Sequence, residues 1–375
     1  MNQPTANPTP DADVVTARGR GLVALWGALL IGIFIVSGMV LASGERRHKL
    51  AAVEQQAAQI DPQAVEPGLT AAEAELPEDA RPVEVTTGIY VERIIAVSIK
   101  DFEWKVEFYI WFRWDGDQVR LEDGFEVVDG GIESVKKQSE HTEGQSHYEL
   151  YRVVAQITKF FDVARFPRDD HLMTINIETP AYRRGELLFR ADADNSAVSS
   201  RVRVPGYVID GMVAVEKPHA YKTGRGDPRI PKGTKTTHSQ FRCGVKIRRP
   251  DAGLYVKMFQ ALFVACGIAL LALFIKPTDV DPRFGLGVGA LFAGVANSYI
   301  TSSLVPDTGV MTLADLVNGV GIAIILMSIV ESTISLYLYD RRGSEALSRL
   351  FDRVSFWILA SGAAALNAAL FLAAA

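Results

Sequence analysis

The sequence predicts an all-β extracytoplasmic sandwich plus an α-helical transmembrane four-helix bundle, with one extra N-terminal transmembrane helix. Two observations support this fold class. First, five apolar segments are long enough to cross a bilayer, which takes about 20 residues; they cover residues 21–42, 254–275, 284–305, 313–339 and 356–374. Second, apolar residues recur with a period of two between the first and second segments, as in β-strands.

Composition narrows the function class. Of the 375 residues, 48% are hydrophobic and 22% are charged, with a net charge of −5. A mildly acidic chain is a poor candidate for general nucleic-acid binding, and its apolar content excludes disorder of the whole chain. The two cysteines, Cys243 and Cys266, exclude a disulfide-rich scaffold and a multi-cysteine metal centre. We find no catalytic motif, so we expect no enzyme activity, no cofactor and no metal site.

The first apolar segment is predicted to be an uncleaved anchor at residues 21–43, preceded by a cytoplasmic N-terminus at residues 1–20. Its apolar run exceeds the roughly 7–15 residues of a signal-peptide core. Residues 41–44 also contain no clean small-x-small cleavage site, although a signal peptide remains the alternative. Within residues 44–82, we predict a helix at 48–59 and a linker rich in Pro, Ala and Glu at 61–79.

Residues 83–250 are predicted to form an antiparallel sandwich. The clearest strand alternates a core face with a more polar face, and the core face comprises Trp104, Val106, Phe108, Ile110, Phe112 and Trp114. Further strands are predicted at residues 88–97, 148–158, 171–178, 185–190, 206–215 and 240–247. The hairpin at residues 217–239 is rich in Gly and Pro, which is consistent with a mobile flap.

The remaining residues, 251–375, are predicted to form the four-helix domain, whose loops indicate an orientation. The connection at residues 340–353 has more Arg than acidic residues and should be cytoplasmic, whereas residues 306–309 contain no Lys or Arg and should face outward. The sandwich then lies outside and the N-terminus inside. Arg18 and Arg20 agree with this orientation, while Arg46, Arg47 and Lys49 oppose it.

Four sequence motifs resemble the pentameric ligand-gated ion channel (Cys-loop receptor-like) superfamily, specifically its bacterial branch. They are Trp111-Phe112-Arg113-Trp114-Asp115, the Phe166-Pro167-Arg168-Asp169 core of residues 161–169, Arg248-Arg249-Pro250, and the run from Tyr299 through Leu304-Val305-Pro306 to Met311-Thr312-Leu313-Ala314-Asp315. Glu331 also matches an acidic residue of bacterial members. The resemblance covers about residues 84–375. The chain departs from the family in having no proline in the first helix of the bundle and in having the N-terminal anchor. Residues 161–169 resemble the signature loop of the family, and no cysteines flank this loop, as in bacterial members generally.

The resemblance implies a subunit of a homopentameric, cation-conducting channel of the bacterial inner membrane, gated by an extracytoplasmic signal. Its partners would be the lipid bilayer, identical subunits, permeating ions, and an unknown small ligand or protons. The implied pore-lining residues are Gly285, Gly289, Phe292, Ala296, Tyr299 and Ser303, with Asp281 and Arg283 setting selectivity. The residues implied to transmit the signal from the sandwich to the pore, here called coupling residues, are Phe166, Pro167, Asp169, Arg248, Arg249 and Pro306. The implied ligand-binding aromatics are Tyr109, Trp111, Tyr182 and Tyr221.

Several of these residues also have ordinary structural explanations. Gly285-x-x-x-Gly289 and Ala290-x-x-x-Gly294 match motifs for close helix packing. Glu331 could snorkel towards the membrane surface or form an interhelical hydrogen bond, and Lys257 could also snorkel. Asp169 could be a solvated residue of a turn, and the four aromatics could be ordinary sheet-surface residues.

Two alternative functions also fit the sequence. The first is a non-conducting membrane sensor or scaffold on the same fold. The second is an accessory subunit that uses the N-terminal anchor to recruit a partner.

Overall fold

The computed structural model describes residues 15–66, 69–71, 76, 80–121, 124–228, 230–250, 252–342 and 344–374. Most of the predicted cytoplasmic N-terminus and much of the predicted linker at 61–79 lie outside these ranges. The described residues fall into two compact units. The helical unit comprises the described parts of Met1–His48, Ala164–Pro167 and Ala252–Ala375, and the sheet unit those of Lys49–Val163 and Arg168–Asp251.

The described helices are α1 (Ala17–Ile60), α2 (Gly253–Leu271, followed by a 3-10 turn at Ala272–Phe274), α3 (Val280–Ser302), α4 (Leu313–Arg342) and α5 (Glu345–Ala374). All five are long and apolar enough to cross a membrane. The sequence predicts the approximate positions of these five helices, and the largest differences lie at the end of α1 and the start of α5. The Ser43-Gly44 pair does not end α1, which continues to Ile60. The predicted cytoplasmic loop is mostly helical, because α5 begins at Glu345.

The strands are β1 (Val83–Ser98), β2 (Glu103–Asp115), β3 (Glu126–Val127), β4 (Gly130–Glu143), β5 (Ser146–Thr158), β6 (Asp170–Glu178), β7 (Leu187–Ala191), β8 (Ala197–Val198), β9 (Val208–Tyr221) and β10 (Thr236–Arg248). They form two sheets. One has the order β4-β5-β2-β1-β7, with β8 also paired to β1, and the other has the order β3-β6-β10-β9.

The predicted core face of β2 is confirmed, since all six of its predicted core residues are buried. Burial alternates along β2 because successive side chains point to opposite faces of a strand. The buried faces of both sheets are compatible with the predicted sandwich. The fully antiparallel arrangement is wrong, however, because β7 and β8 each pair with β1 in parallel.

Two further strand predictions need correction. The sequence analysis missed β4, which is an edge strand whose side chains are mostly exposed on both faces, so that no apolar alternation marks it. The predicted flap at residues 217–239 is also paired at both of its ends, since Lys217 pairs with Gln240 and Tyr221 pairs with Thr236. The loop itself is limited to residues 222–235.

Candidate functional site

Helix α3 packs on its own unit through one narrow stripe. Its buried residues recur at steps of three and four, which places them on one helical face; they are Arg283, Gly287, Ala290, Gly294, Asn297 and Thr301. A Cβ at Gly287 would lie only 2.6 Å from Ile329 of α4. Gly287 and Gly294 are therefore the close-packing glycines of this helix.

The predicted pore-lining residues lie on the opposite face of α3. All six are exposed in the single chain. Phe292 and Tyr299 expose 73% and 79% of their surface, and a Cβ at Gly285 or Gly289 would meet no atom within 4 Å. Gly285 and Gly289 therefore do not pack against the described part of their own chain. Asp281 is exposed in the first turn of the same helix.

Arg283 has a different environment from its neighbour Asp281. It is buried within the helical unit, where it donates two hydrogen bonds to Asp352 of α5, of 2.6 and 3.2 Å, and one of 3.0 Å to the Ile275 carbonyl. Ser335 of α4 also donates to Asp352 at 2.8 Å. The carboxylate that balances Arg283 is thus Asp352 and not Asp281, so we withdraw the selectivity role assigned to Arg283.

The signature-loop segment Ala164–Pro167 belongs to the helical unit, although the chain on either side of it belongs to the sheet unit. The first N–H groups of an α-helix have no partner within the helix. At α4, the Leu313 N–H donates to the Ala164 carbonyl at 2.8 Å, and the Ala314 N–H donates to the Phe166 carbonyl at 3.0 Å. The segment therefore completes the N-terminus of α4. Of the predicted coupling residues, Phe166, Pro167 and Pro306 are all buried in this unit.

The other predicted coupling residues lie in the sheet unit. Asp169 is buried and pairs with Arg249 at 3.2 Å, while Arg248 pairs with Asp210 at 2.7 Å. His171 and the Tyr207 hydroxyl each lie 2.7 Å from the Asp169 carboxylate. Burial alone would raise the pKa of Asp169, but His171 and Arg249 outweigh it and hold this pKa well below its usual range. Asp169 is therefore a buried, ionised residue and not a solvated turn residue.

The four predicted ligand-binding aromatics divide into two groups. Tyr109 and Trp111 lie on β2, where the Trp111 indole donates to Asp192 at 3.1 Å. Tyr182 and Tyr221 both contact His238: the Tyr182 carbonyl lies 2.9 Å from its Nδ1, and the Tyr221 ring lies 5.4 Å from its ring.

Sequence analysis missed the polar residues around Tyr221. The Tyr221 hydroxyl donates to buried Glu178 at 2.8 Å, and Gln240 donates to the same carboxylate at 2.7 Å. His219 also lies within hydrogen-bonding distance of Glu178. No spacing motif reveals this cluster, because its members come from three strands, β6, β9 and β10.

The positively charged side chain of Arg225 lies on the Tyr221 ring of the same chain. The Arg225 guanidinium carbon lies 3.7 Å from the Tyr221 ring centroid, which is cation–π geometry. Burial, followed by the negative charge of Glu178, raises the pKa of Tyr221, so its hydroxyl stays protonated at neutral pH and continues to donate to Glu178. The cluster can thus accept a cation on the ring face and hold a carboxylate behind it.

Helix α1 is attached to the helical unit by a polar contact and by close packing. The Trp26 indole donates to Glu331 of α4 at 3.3 Å, and Glu331 is fully buried. A Cβ at Gly27 would lie 3.1 Å from Ile358 of α5, and one at Gly362 of α5 would lie 2.5 Å from Phe34. Glu331 is therefore a partner of α1 and does not snorkel, whereas Lys257 of α2 is exposed.

The far end of α1 lies in the sheet unit, where two buried cations hold it. The last carbonyls of a helix lack partners and carry partial negative charge. Lys217 donates to the Asp61 carbonyl at 2.8 Å, and Arg242 donates to the Gln59 carbonyl at 2.7 Å. Glu66 pairs with both cations.

Comparison with known proteins gives no relative: no protein-family model matches the sequence, and no curated protein matches it significantly. Within the described ranges, no group of three or more His, Cys, Asp or Glu side chains is arranged to hold a metal ion.

Proposed function

We propose that this chain is a subunit of a homopentameric ligand-gated ion channel of the bacterial inner membrane, conducting cations. The observation that carries the proposal is the two-sided character of α3. One face packs on the chain's own helices, while the opposite face, which the resemblance assigns to the pore, is left exposed by the single chain. A ring of identical subunits gives that face an aqueous lumen.

The composition of the exposed face suits an ion pathway. Exposed Asp281 at one end adds negative charge, and acidic rings favour cations. Gly285 and Gly289 leave the adjoining section wide, because they carry no side chain. Phe292 and Tyr299 then present large rings, and apolar constrictions of this kind can gate a pore by excluding water.

The ligand we propose is a small cation bound at the Tyr221 cluster. An aromatic face backed by the buried Glu178 carboxylate suits an amine. Arg225 occupies that face in the structure, so a ligand must displace it. The family resemblance also implies that the site lies between subunits, with Trp111 or Tyr109 of β2 as a further aromatic.

Planar-bilayer recording of the purified full-length chain tests the channel. We expect discrete currents, and we expect Phe292→Ala to raise the unitary conductance or the open probability because it removes the proposed constriction. Trp357→Ala is the matched control, since this aromatic is 66% exposed but lies on α5. It should leave both quantities unchanged, and the reversal potential in a salt gradient reports the cation preference.

Two results would contradict the proposal. Absence of current across pH values and candidate amines, from protein shown to be oligomeric, favours the non-conducting sensor. Equal effects of Phe292→Ala and Trp357→Ala would show that the exposed face of α3 does not line a conduction path.

A further inference from the structure

An apolar groove of about 310 Å³ lies in the helical unit between α1 and α4, and α5 also lines it. Its lining is almost entirely hydrocarbon, with Leu30 and Phe34 from α1, Val320 and Met327 from α4, and Leu359 from α5. A volume of this size is at the lower end of ligand pockets, which span about 300–1,000 Å³.

The groove exists because α1 packs closely on α5 but leaves a space in front of Gly319 of α4. Gly27 and Gly38 bring α1 against side chains of α5, where added Cβ atoms would lie 3.1 and 3.7 Å from Ile358 and Leu366. On the α4 side, a Cβ at Gly319 would meet no atom within 4 Å. The space in front of Gly319 is therefore unfilled by the described chain.

The length of the groove corresponds to one leaflet of a bilayer. Its lining runs from Leu30 to Leu41 along α1 and from Asp315 to Met327 along α4. At a helical rise of about 1.5 Å per residue, these stretches are about 17 and 18 Å long. The hydrocarbon core of a bilayer is about 30 Å thick, so each leaflet contributes about 15 Å.

One end of the groove carries a negative charge. Asp315, in the first turn of α4, is the charged residue among those lining the groove. Its Oδ2 accepts hydrogen bonds from the Thr312 N–H and hydroxyl, but a carboxylate has about four lone-pair sites and can accept more. This end therefore attracts a cationic group.

We propose that the groove binds one acyl chain of an amine-bearing phospholipid, with the headgroup ammonium at Asp315. The chain fills the space in front of Gly319, and the lipid belongs to the leaflet at the N-terminal end of α4. Charge complementarity selects an ethanolamine headgroup over an anionic glycerol headgroup. This inference does not depend on ion conduction.

Lipid retention tests the proposal. Full-length protein is reconstituted in nanodiscs of equimolar phosphatidylethanolamine and phosphatidylglycerol, stripped with detergent, and its retained lipid is counted by native mass spectrometry. Wild-type protein should keep one phospholipid per chain, with ethanolamine favoured about two- to fivefold, as expected for one partly exposed ion pair. The Gly319→Leu/Ala323→Leu variant should lose this lipid, because the new side chains fill the groove.

Control variants separate the two parts of the proposal. Ala365→Leu, at an exposed position on α5 outside the groove, should retain lipid as wild type does. Asp315→Asn, which keeps an oxygen that can accept from Thr312, should retain lipid without the headgroup preference. Equal retention by wild type and the filled variant overturns the acyl-chain site, and an unchanged preference in Asp315→Asn overturns the headgroup assignment.

A second measurement uses only the wild-type chain, in case the filled variant does not fold. Phosphatidylethanolamine with a photoreactive diazirine in its acyl chain should label peptides that contain Gly319 or Ala323. Labelling confined to openly exposed positions, such as Trp357 and Leu372, would overturn the proposal. The proposal would also be overturned if the Gly319→Leu/Ala323→Leu variant lost its subunit assembly while its lipid count stayed unchanged. That result would show that the groove holds a second copy of the chain.

Discussion

Arg283 and Asp352 form a buried ion pair whose partners are 69 residues apart in the sequence. Local sequence patterns place Arg283 beside Asp281 at the start of α3 and assign Asp352 to a charged loop. Neither pattern shows that the two side chains are buried together within the helical unit. Within α3, the sequence pattern indicated close packing at Ala290 and Gly294 but not at Gly287, and it did not show which charged side chains pair.

Removing one member of this pair should destabilise the helical unit. A buried charge that loses its partner costs about 3–5 kcal/mol, whereas replacement of both partners by apolar residues is often close to neutral. We expect Asp352→Ala to lower the unfolding free energy by about that amount, and Arg283→Met/Asp352→Leu to lower it less. Denaturant titration in detergent, followed by circular dichroism, measures both.

The exposed pair Glu345–Arg349 supplies the control on the same helix as Asp352. Its loss in Glu345→Ala should cost under about 1 kcal/mol, because water screens exposed charges. If Asp352→Ala costs no more than Glu345→Ala, the buried pair is not a significant source of stability.

Side-chain and backbone acceptors satisfy the N-terminus of α4. Thr312 and Asp315 form a reciprocal pair in which the Thr312 N–H donates to Asp315 at 2.9 Å and the Asp315 N–H donates to the Thr312 hydroxyl at 3.1 Å. This is a capping box with Asp in place of Glu. The two N–H groups between these residues, those of Leu313 and Ala314, donate to carbonyls of the segment Ala164–Pro167.

Loss of the cap should weaken this helix end measurably. Substituting a capping Thr by Ala costs about 0.5–2 kcal/mol, because an orphan N–H loses its acceptor. We expect Thr312→Ala to lower the thermal midpoint and to speed amide exchange at Asp315, whose N–H loses the Thr312 hydroxyl as its acceptor. Thr333→Ala, on an exposed site of the same helix, should change neither. Faster exchange in both variants would indicate general loosening and not loss of a cap.

At the scale of elements, the period of the apolar residues predicted most helices and strands, and its absence explains the misses. β4 has exposed polar residues on both faces, so its pairing with β5 leaves no trace in hydropathy. The continuation of α1 past Gly44 was missed because glycine and serine suggest a boundary, whereas nothing in this stretch prevents helical geometry.

For the whole molecule, the sequence was sufficient for the division into helices and sheets but not for the residues that stabilise each unit. The Glu178 cluster joins side chains of three strands, and the contacts of Lys217 and Arg242 with the end of α1 join residues over 150 positions apart. Such contacts depend on tertiary structure, which no local spacing encodes.

The pH dependence of the unfolding free energy should reveal how much the ionised Glu178 carboxylate stabilises the fold. Burial alone would raise the pKa of Glu178, but hydrogen bonds from His219, Tyr221 and Gln240 lower it below its ordinary value. A carboxyl whose pKa is lowered in the folded state stabilises the fold fully at pH values above its unfolded-state pKa of about 4.3. This stabilisation is lost as the pH falls through the folded-state pKa. We therefore expect the unfolding free energy to decline below about pH 4.3.

Glu178→Gln should make this decline shallower and lower the stability at neutral pH by about 1–3 kcal/mol, the usual value of hydrogen bonds to a charged group. Glu143→Gln, at an exposed site, should leave the curve unchanged. Denaturant titrations from pH 3 to 7, monitored by tryptophan fluorescence, give the curves. Coincident curves for wild type and Glu178→Gln would show that this carboxyl does not couple to folding.

The contact of the segment Ala164–Pro167 with α4 has a consequence for biosynthesis. The ribosome makes that segment about 150 residues before it makes Leu313. The segment is therefore already synthesised when α4 emerges, and its carbonyls are available as acceptors for the first N–H groups of that helix. An α4 running in the opposite direction would leave the Leu313 and Ala314 N–H groups without these acceptors, so this contact favours one direction of the helix within its unit.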